Sequence, residues 1–315
     1  METTFNRAAS PNDAPAFRCP VCDSVLNVPV LVWESSPRGT VGIRRCPGCG
    51  LYITWPRLDD PQSPYHEYDP AAWEAKYGAI DRGERLHDRH ENYLEEVHTI
   101  ESLIPSGRIL DVGCNAGWLL GYLQKSAHHY ELEGVEPSIA QAEIARRRLG
   151  ITIHTGFLQA LTERDGYYTG VIATDVIEHV LPEDIHGFLN AAVRVLEPGG
   201  YLFLKTPNAH FTALKSKLVR ALPNFLRRFM VRGNDRWDAK EHVIHWDAIN
   251  LCRVLEQHGL VPVRTFVPRP VQTYNSPLGA TIARSGILTA ARLLGGQQRI
   301  PSFAQDIFVI AQKAP

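Results

Sequence analysis

The chain has 315 residues, 44% hydrophobic and 21% charged, with 33 Lys and Arg against 34 Asp and Glu, a net charge of −1. That composition is that of an ordinary globular protein long enough for one large core or two smaller ones. A balance near zero gives no overall electrostatic pull toward nucleic acid or anionic lipid. Residues 1–17 are polar and lack the apolar run of a secretory leader, and no uncharged apolar stretch approaches the roughly 20 residues of a bilayer span. A cytoplasmic, reducing location is therefore expected, in which cysteines bind metal more often than they pair.

Residues 1–16 read as a disordered start. Cys19-Pro20-Val21-Cys22 and Cys46-Pro47-Gly48-Cys49 then form two C-x-x-C knuckles separated by 23 residues. Cys19, Cys22, Cys46 and Cys49 at that spacing predict a structural, tetrahedral zinc site in a ribbon spanning 17–56, with no open position left for chemistry. The alternative is four unrelated buried thiols. Val28, Val30 and Val32 alternate between the knuckles and predict a strand, followed by a turn at Pro37-Arg38-Gly39. Cys252 falls on an apolar helical face, and Cys114 in a glycine turn where only its backbone matters.

Residues 57–107 read as a Pro- and Asp-rich linker and then a helical stretch over 73–104, ending at Pro105-Ser106-Gly107. From 108 to 315 apolar strands alternate with helices, the pattern of a parallel doubly wound sheet. Strands are expected at 108–112, 131–135, 151–155, 169–174, 200–205, 260–267 and 306–312. Helices are expected at 117–127, 138–149, 183–196 and 247–258. Insertions at 209–241 and 268–304 interrupt this order, the second with a helix near 279–294. The run 214–232 interleaves Lys and Arg with Leu and Phe. Its alternatives are a solvated helix, a cover for an anionic substrate, or a peripheral membrane contact.

The stretch Ile109-Leu110-Asp111-Val112-Gly113-Cys114-Asn115-Ala116-Gly117-Trp118 is a buried strand entering a helix through a glycine turn. Gly113 and Gly117 permit close approach of a ligand to backbone. Nineteen residues beyond Gly117, Glu136 closes the next apolar run. A helix N-terminus beside a carboxylate suits a nucleotide whose ribose hydroxyls sit on the acid.

Four segments in order carry a resemblance: Leu110-Asp111-Val112-Gly113, Gly134-Val135-Glu136-Pro137-Ser138, Thr174-Asp175-Val176-Ile177-Glu178-His179, and Leu196-Glu197-Pro198-Gly199-Gly200. Over about residues 85–315 the chain resembles class I S-adenosylmethionine-dependent methyltransferases, and the ribbon ahead resembles those of many bacterial small-molecule and sugar-modifying members. The resemblance implies a Rossmann-like sheet of seven strands with the last antiparallel. It also implies S-adenosylmethionine held by Gly113, Asn115, Gly117 and Glu136, with Asp111 near the ammonium and Asp175 facing cofactor and substrate. Two positions depart from the family. Asn115 replaces a glycine and tolerates positive φ while offering a side chain to the methionyl carboxylate. Phe157 stands where an acid often binds the adenine amino group, so adenine is expected to stack there.

An activated methyl group leaves the protein to align the acceptor and remove its proton. His179, after the fourth strand, and His242, with His245 nearby, are the candidate bases. A Glu-His pair in related sugar C-methyltransferases gives Glu241 and His242 the same candidacy. A loop-bracing role for His179, or a divalent ion shared by Glu178 and His179, is the alternative there. The acceptor is expected to be a small molecule methylated at a hydroxyl or carbon, a sugar or specialised metabolite first. A lipid-linked or quinone-like acceptor at a membrane surface is the enzymatic rival, and a non-catalytic scaffold the other. No nucleic acid is expected as partner.

Overall fold

The computed structural model describes residues 18–26, 30–36, 39–55, 70–221, 242–269 and 304–315. A seven-stranded sheet forms its centre, built from β4 (Ser106–Val112), β5 (His129–Glu136), β6 (Thr152–Thr155), β7 (Tyr168–Thr174), β8 (Leu196–Pro207), β10 (Leu260–Phe266) and β11 (Asp306–Lys313). Its order is β6-β5-β4-β7-β8-β11-β10. The pairings from β6 across to β8 are parallel, and β11 runs antiparallel to both of its neighbours. The α/β, Rossmann-like class of seven strands with the last antiparallel is thus present.

The strands form where the sequence is apolar because both sheet faces are covered. Along β11, Ile307, Val309 and Ala311 join one core while Phe308 and Ile310 join the other. In β8, Leu202 and Leu204 take the first side and Phe203 the second, the period-2 alternation of a strand. One face carries α5 (Ile185–Val195) and α7 (Ala248–Gln257). Ile185, Phe188, Leu189, Ala192 and Val195 are buried at helical spacing. The other face carries α2 (His90–Glu101) and α3 (Trp118–Leu123), with Val97, Ile100, Leu119 and Leu123 inward. Ser138 caps α4 (Ile139–Leu149), its hydroxyl accepting from the Gln141 N–H, and Gly150 at φ +66° ends it.

Three expectations change. The helical stretch over 73–104 is two helices, α1 (Pro70–Asp81) and α2, separated around Gly83 at φ +74°. Pro70 opens α1, where its missing N–H has no cost. The helix expected over 117–127 stops at Leu123, and the fifth strand extends to Leu196–Pro207.

The ribbon contributes a second sheet, β1 (Val32–Ser36), β2 (Gly39–Arg45) and β3 (Tyr52–Trp55). A fourth strand, β9 (Ile244–His245), arrives from almost 200 residues away and pairs antiparallel with β3, His245 opposite Tyr52. Leu26, Leu51 and Ile53 share one core with Trp246, Leu251 and Leu255. The Asn250 amide donates to the Cys49 carbonyl at 3.3 Å, and the Gln257 amide to the Val21 carbonyl at 2.7 Å.

Of the insertions, α6 (Ala209–Ala221) is described. Residues 222–241 and 270–303, with Glu241, the remainder of the basic run and the helix expected near 279–294, lie outside the described residues. Among the described residues no helix is long and apolar enough to cross a membrane.

Candidate functional site

From the carboxyl end of β4 the chain enters α3 through a turn, beside the end of β5, that only unusual backbone can make. Gly113, Asn115 and Gly117 have φ of +67°, +52° and +74°. A Cβ on Gly113 would stand 2.7 Å from Val176 Cγ2, and one on Gly117 2.6 Å from Leu149 Cδ1. Both glycines are therefore fixed by conformation and by space. Asn115 tolerates the left-handed region because its side chain bonds locally: its Oδ1 accepts from the Ala116 N–H at 2.7 Å. In this arrangement the amide is turned back onto its own backbone.

Glu136 ends β5 and is 4% exposed. Its two oxygens accept from the Asn115 N–H at 2.8 Å and the Ser138 N–H at 2.9 Å. Burial raises its pKa against those two bonds. Asp111 is also 4% exposed. Burial, with Glu96 and Glu136 nearby, pushes it well above the usual carboxylate range. Two buried acids, one close enough to raise the other's pKa, would favour a positively charged ligand beside them. Beside them the Gly156 N–H donates to the Glu136 carbonyl at 3.0 Å, and Phe157, the next residue, is 55% exposed. Ile139, three residues past Glu136 at the start of α4, is 63% exposed.

Asp175 follows β7 at φ +56°, an uncommon conformation for a non-glycine residue. Its carboxylate is engaged by Arg89 and by Lys205 Nζ at 3.3 Å, and Lys205 also reaches Glu96 Oε1 at 3.2 Å. Burial pushes Asp175 up, but Lys205 and Arg89 outweigh it and hold the acid at about 2. Arg89, Glu96 and Lys205 were missed from sequence. The visible signal was a lysine inside the apolar run Leu202-Phe203-Leu204-Lys205, which needs a buried partner.

Val176 lies over Gly113, and the chain then delivers Glu178 and His179. The ring centroids of His179 and His242 are 4.9 Å apart, edge to face, and His245 lies 6.3 Å beyond. Ligand atoms of Glu178, His179 and His242 all fall within 4.8 Å of one another. Glu178 is 1% exposed; its Oε2 accepts from Thr206 Oγ1 at 3.0 Å, while Oε1 has no partner among the described residues. Burial, then the charge of Asp175, raises Glu178 well above the usual carboxylate range. A cavity of about 160 Å³ adjoins the cluster, lined by Glu178, His242, Phe211, Thr212, Lys215 and Asp306. The structure thus brings His179 and His242 together, with Glu178 as the partner.

In the ribbon, Cys19 Sγ lies 3.6 Å from Cys49 Sγ, and Cys22 Sγ 3.4 Å from Cys46 Sγ. All four sulfurs lie within 4.8 Å of one another. Ligands about 2.3 Å from a tetrahedral zinc stand about 3.8 Å apart, so the donor set and its spacing fit such an ion. The knuckle turns are tight: Asp23 and Gly50 have φ of +57° and +83°, and a Cβ on Gly48 would meet Cys22 Sγ at 2.9 Å.

Comparison with known proteins bears on the family and the fold. The family model described as a methyltransferase domain matches residues 85–265. A ubiquinone biosynthesis O-methyltransferase of Methylocella silvestris is 30% identical over 135 residues, 41% of this chain and 50% of that protein. The chain spans about half the length of the curated relatives it matches. Among solved structures, a chain from the Haloferax volcanii complex of the Trm112 methyltransferase activator with a methyltransferase aligns at a TM-score of 0.53 and 14% identity, over 79% of this chain and all of that one. An S-adenosylmethionine-dependent methyltransferase from Listeria monocytogenes aligns at 0.50 and 14%, over 71% and 99%. These two share the fold. With the family model covering more than half of its length, the chain belongs to the methyltransferase domain family, and its fold is that of class I S-adenosylmethionine-dependent methyltransferases.

Proposed function

We propose that this methyltransferase transfers a methyl group from S-adenosylmethionine to a hydroxyl of a small molecule, with His242 and His179 handling the acceptor's proton. The cosubstrate supplies a methyl already activated on a sulfonium, which is displaced in line. The residues present fit it: the turn at Gly113 and Gly117 has no room for a Cβ, and the buried Asp111 and Glu136 carboxylates stand beside it. Glu136 would accept from the ribose hydroxyls, Asp111 would face the ammonium, and Phe157 with Ile139 would bracket the adenine. Asp175 would act from behind, anchoring Arg89 and Lys205 at the pocket floor. The four cysteines would hold one structural zinc.

The observation that carries the acceptor half is the His179–His242 pair beside buried Glu178 at the sheet edge holding the cofactor turn. Imidazole is the natural proton acceptor near neutrality, and a positioned base contributes about 10²–10⁴ in rate. Oxygen is favoured over carbon because the curated relatives are named O-methyltransferases of ubiquinone biosynthesis, which makes a phenolic, quinone-like acceptor the first choice and a sugar the second. Peripheral membrane contact through 214–232 would suit the first.

The test is tritium transfer from methyl-labelled S-adenosylmethionine to separate panels of catechols and nucleotide sugars. Label should appear on one panel, and His242→Asn should lower turnover at least 100-fold with cosubstrate affinity unchanged. Equal turnover in the variant would remove His242 from the chemistry, and label on RNA or protein alone would overturn the small-molecule reading.

A further inference from the structure

The ribbon's third strand reaches the histidine cluster directly. Thr54 on β3 is 2% exposed, and its backbone N–H donates to the Val243 carbonyl at 2.8 Å. Its hydroxyl donates to the His242 carbonyl at 2.8 Å and lies 3.0 Å from His245 Nε2. A threonine hydroxyl has one proton. With that proton committed to His242, the contact with His245 closes only if Nε2–H donates and Thr54 accepts. His245 is thereby set as the Nε2–H tautomer, with Nδ1 its acceptor nitrogen when neutral. From the opposite side, the Val243 and Ile244 N–H groups donate to the Glu178 carbonyl at 2.8 and 3.2 Å. The segment 242–245 is therefore clamped between the ribbon and the loop that carries Glu178 and His179. β3 begins three residues after Cys49, whose carbonyl is tied to α7 through Asn250.

We propose that the four-cysteine ribbon braces the acceptor site from behind its histidines, and that Thr54 is its positioning residue. The threonine fixes the backbone of His242 and the tautomer of His245, so that metal held by the cysteines sets the histidines and not the cosubstrate pocket. This rests on the functional reading of the histidine cluster given above, yet its central test requires neither cosubstrate nor acceptor. The glycine turn and Glu136 follow or end β4 and β5, which pair with each other and with β7 and β6 and make no strand pairing with β3.

The full-length, metal-loaded protein labelled with ¹⁵N-histidine gives the readout, in long-range ¹H–¹⁵N spectra with the His245 signals assigned by loss in His245→Asn. Wild type should show His245 in the Nε2–H form. Thr54→Val should abolish that form and shift His242, and Thr54→Ser should restore both. Calorimetric affinity for S-adenosylmethionine should stay within twofold in both variants. Removing the metal by prolonged dialysis against chelator should shift the same signals, again with affinity within twofold. The proposal is overturned by unchanged His242 and His245 signals in Thr54→Val or in the metal-free protein, by failure of Thr54→Ser to rescue, or by parallel loss of cosubstrate affinity. Absence of S-adenosylmethionine binding to wild type would instead overturn the functional reading, with the tautomer result standing by itself.

Discussion

Glu136 has two backbone N–H groups to hold in the ligand-free chain and, on the reading above, two ribose hydroxyls to hold when cosubstrate is bound. A carboxylate has about four lone-pair sites, enough for both sets. Glu136→Gln keeps one acceptor oxygen and should weaken S-adenosylmethionine about tenfold; Glu136→Ala should weaken it about 100-fold, the scale of one to two charged hydrogen bonds. Calorimetry reads both. Asp111 gives a pH signature at the same pocket. Burial, helped by Glu96 and Glu136, raises its folded pKa above the unfolded value. The folded chain then binds more protons than the unfolded one, so the stability of the ligand-free protein falls as pH rises from the ordinary carboxylate range through the raised value. A cationic ligand stabilises the ionised acid, so binding should release protons and tighten across that same window. Calorimetry in buffers of different ionisation enthalpy measures the release, and Asp111→Asn should reduce it.

At the scale of elements, the turn between β4 and α3 is where, on the proposed function, backbone geometry and ligand access become one constraint. Gly117→Ala forces a side chain at φ +74° against Leu149, and the left-handed conformation alone costs roughly 1–2 kcal/mol. Denaturant unfolding should register at least that loss, with α3 displaced and cosubstrate affinity lowered in step. This turn was legible in the sequence because two glycines four residues apart follow an apolar run and precede another. The sheet was legible for the same reason: Val112, Val171, Leu202 and Val309 sit in runs that both faces bury. Two features were not. The break between α1 and α2 lies in a charged stretch whose helical propensity continues through it, with Gly83 as the sole marker. The strand β9 is two residues of His-Val-Ile-His, too short for any periodicity, and its partner is a ribbon strand separated from it by most of the chain. A pairing at that separation is decided by tertiary packing, so the contact of Thr54 with His242 and His245 had no local signature. Lys205 lies between these cases. The misplaced charge was visible, and only the fold supplies its partners, Glu96 and Asp175.

For the molecule as a whole, ribbon and sheet share a core. Leu26 and Ile53 from the ribbon, Trp246 and Leu255 around α7, and Val309 from β11 are buried in one cluster. Trp246 is fully buried, and its indole N–H donates to the Ile177 carbonyl at 3.2 Å, tying α7's approach to the loop that bears Glu178. A shared core of this kind should unfold as one cooperative unit. Trp246→Ala should cost about 3–5 kcal/mol and shift the far-ultraviolet and metal-release transitions together; a metal-release transition that stayed at its wild-type midpoint would mean that the ribbon stands alone. The same packing gives the histidines their place. His179 rides on the loop after β7, His242 on the approach to β9, and the two meet because the ribbon and the sheet present them from opposite sides.

All of this converges on the pocket at the carboxyl ends of β4 and β5, and a crystal of the protein soaked with S-adenosylhomocysteine examines it most directly. The expected density places the ribose hydroxyls on Glu136, the amino group toward Asp111, the adenine between Phe157 and Ile139, and the sulfur facing His179 and His242. Density for the ligand at another position, with the Gly113–Gly117 turn unvisited, would contradict the account.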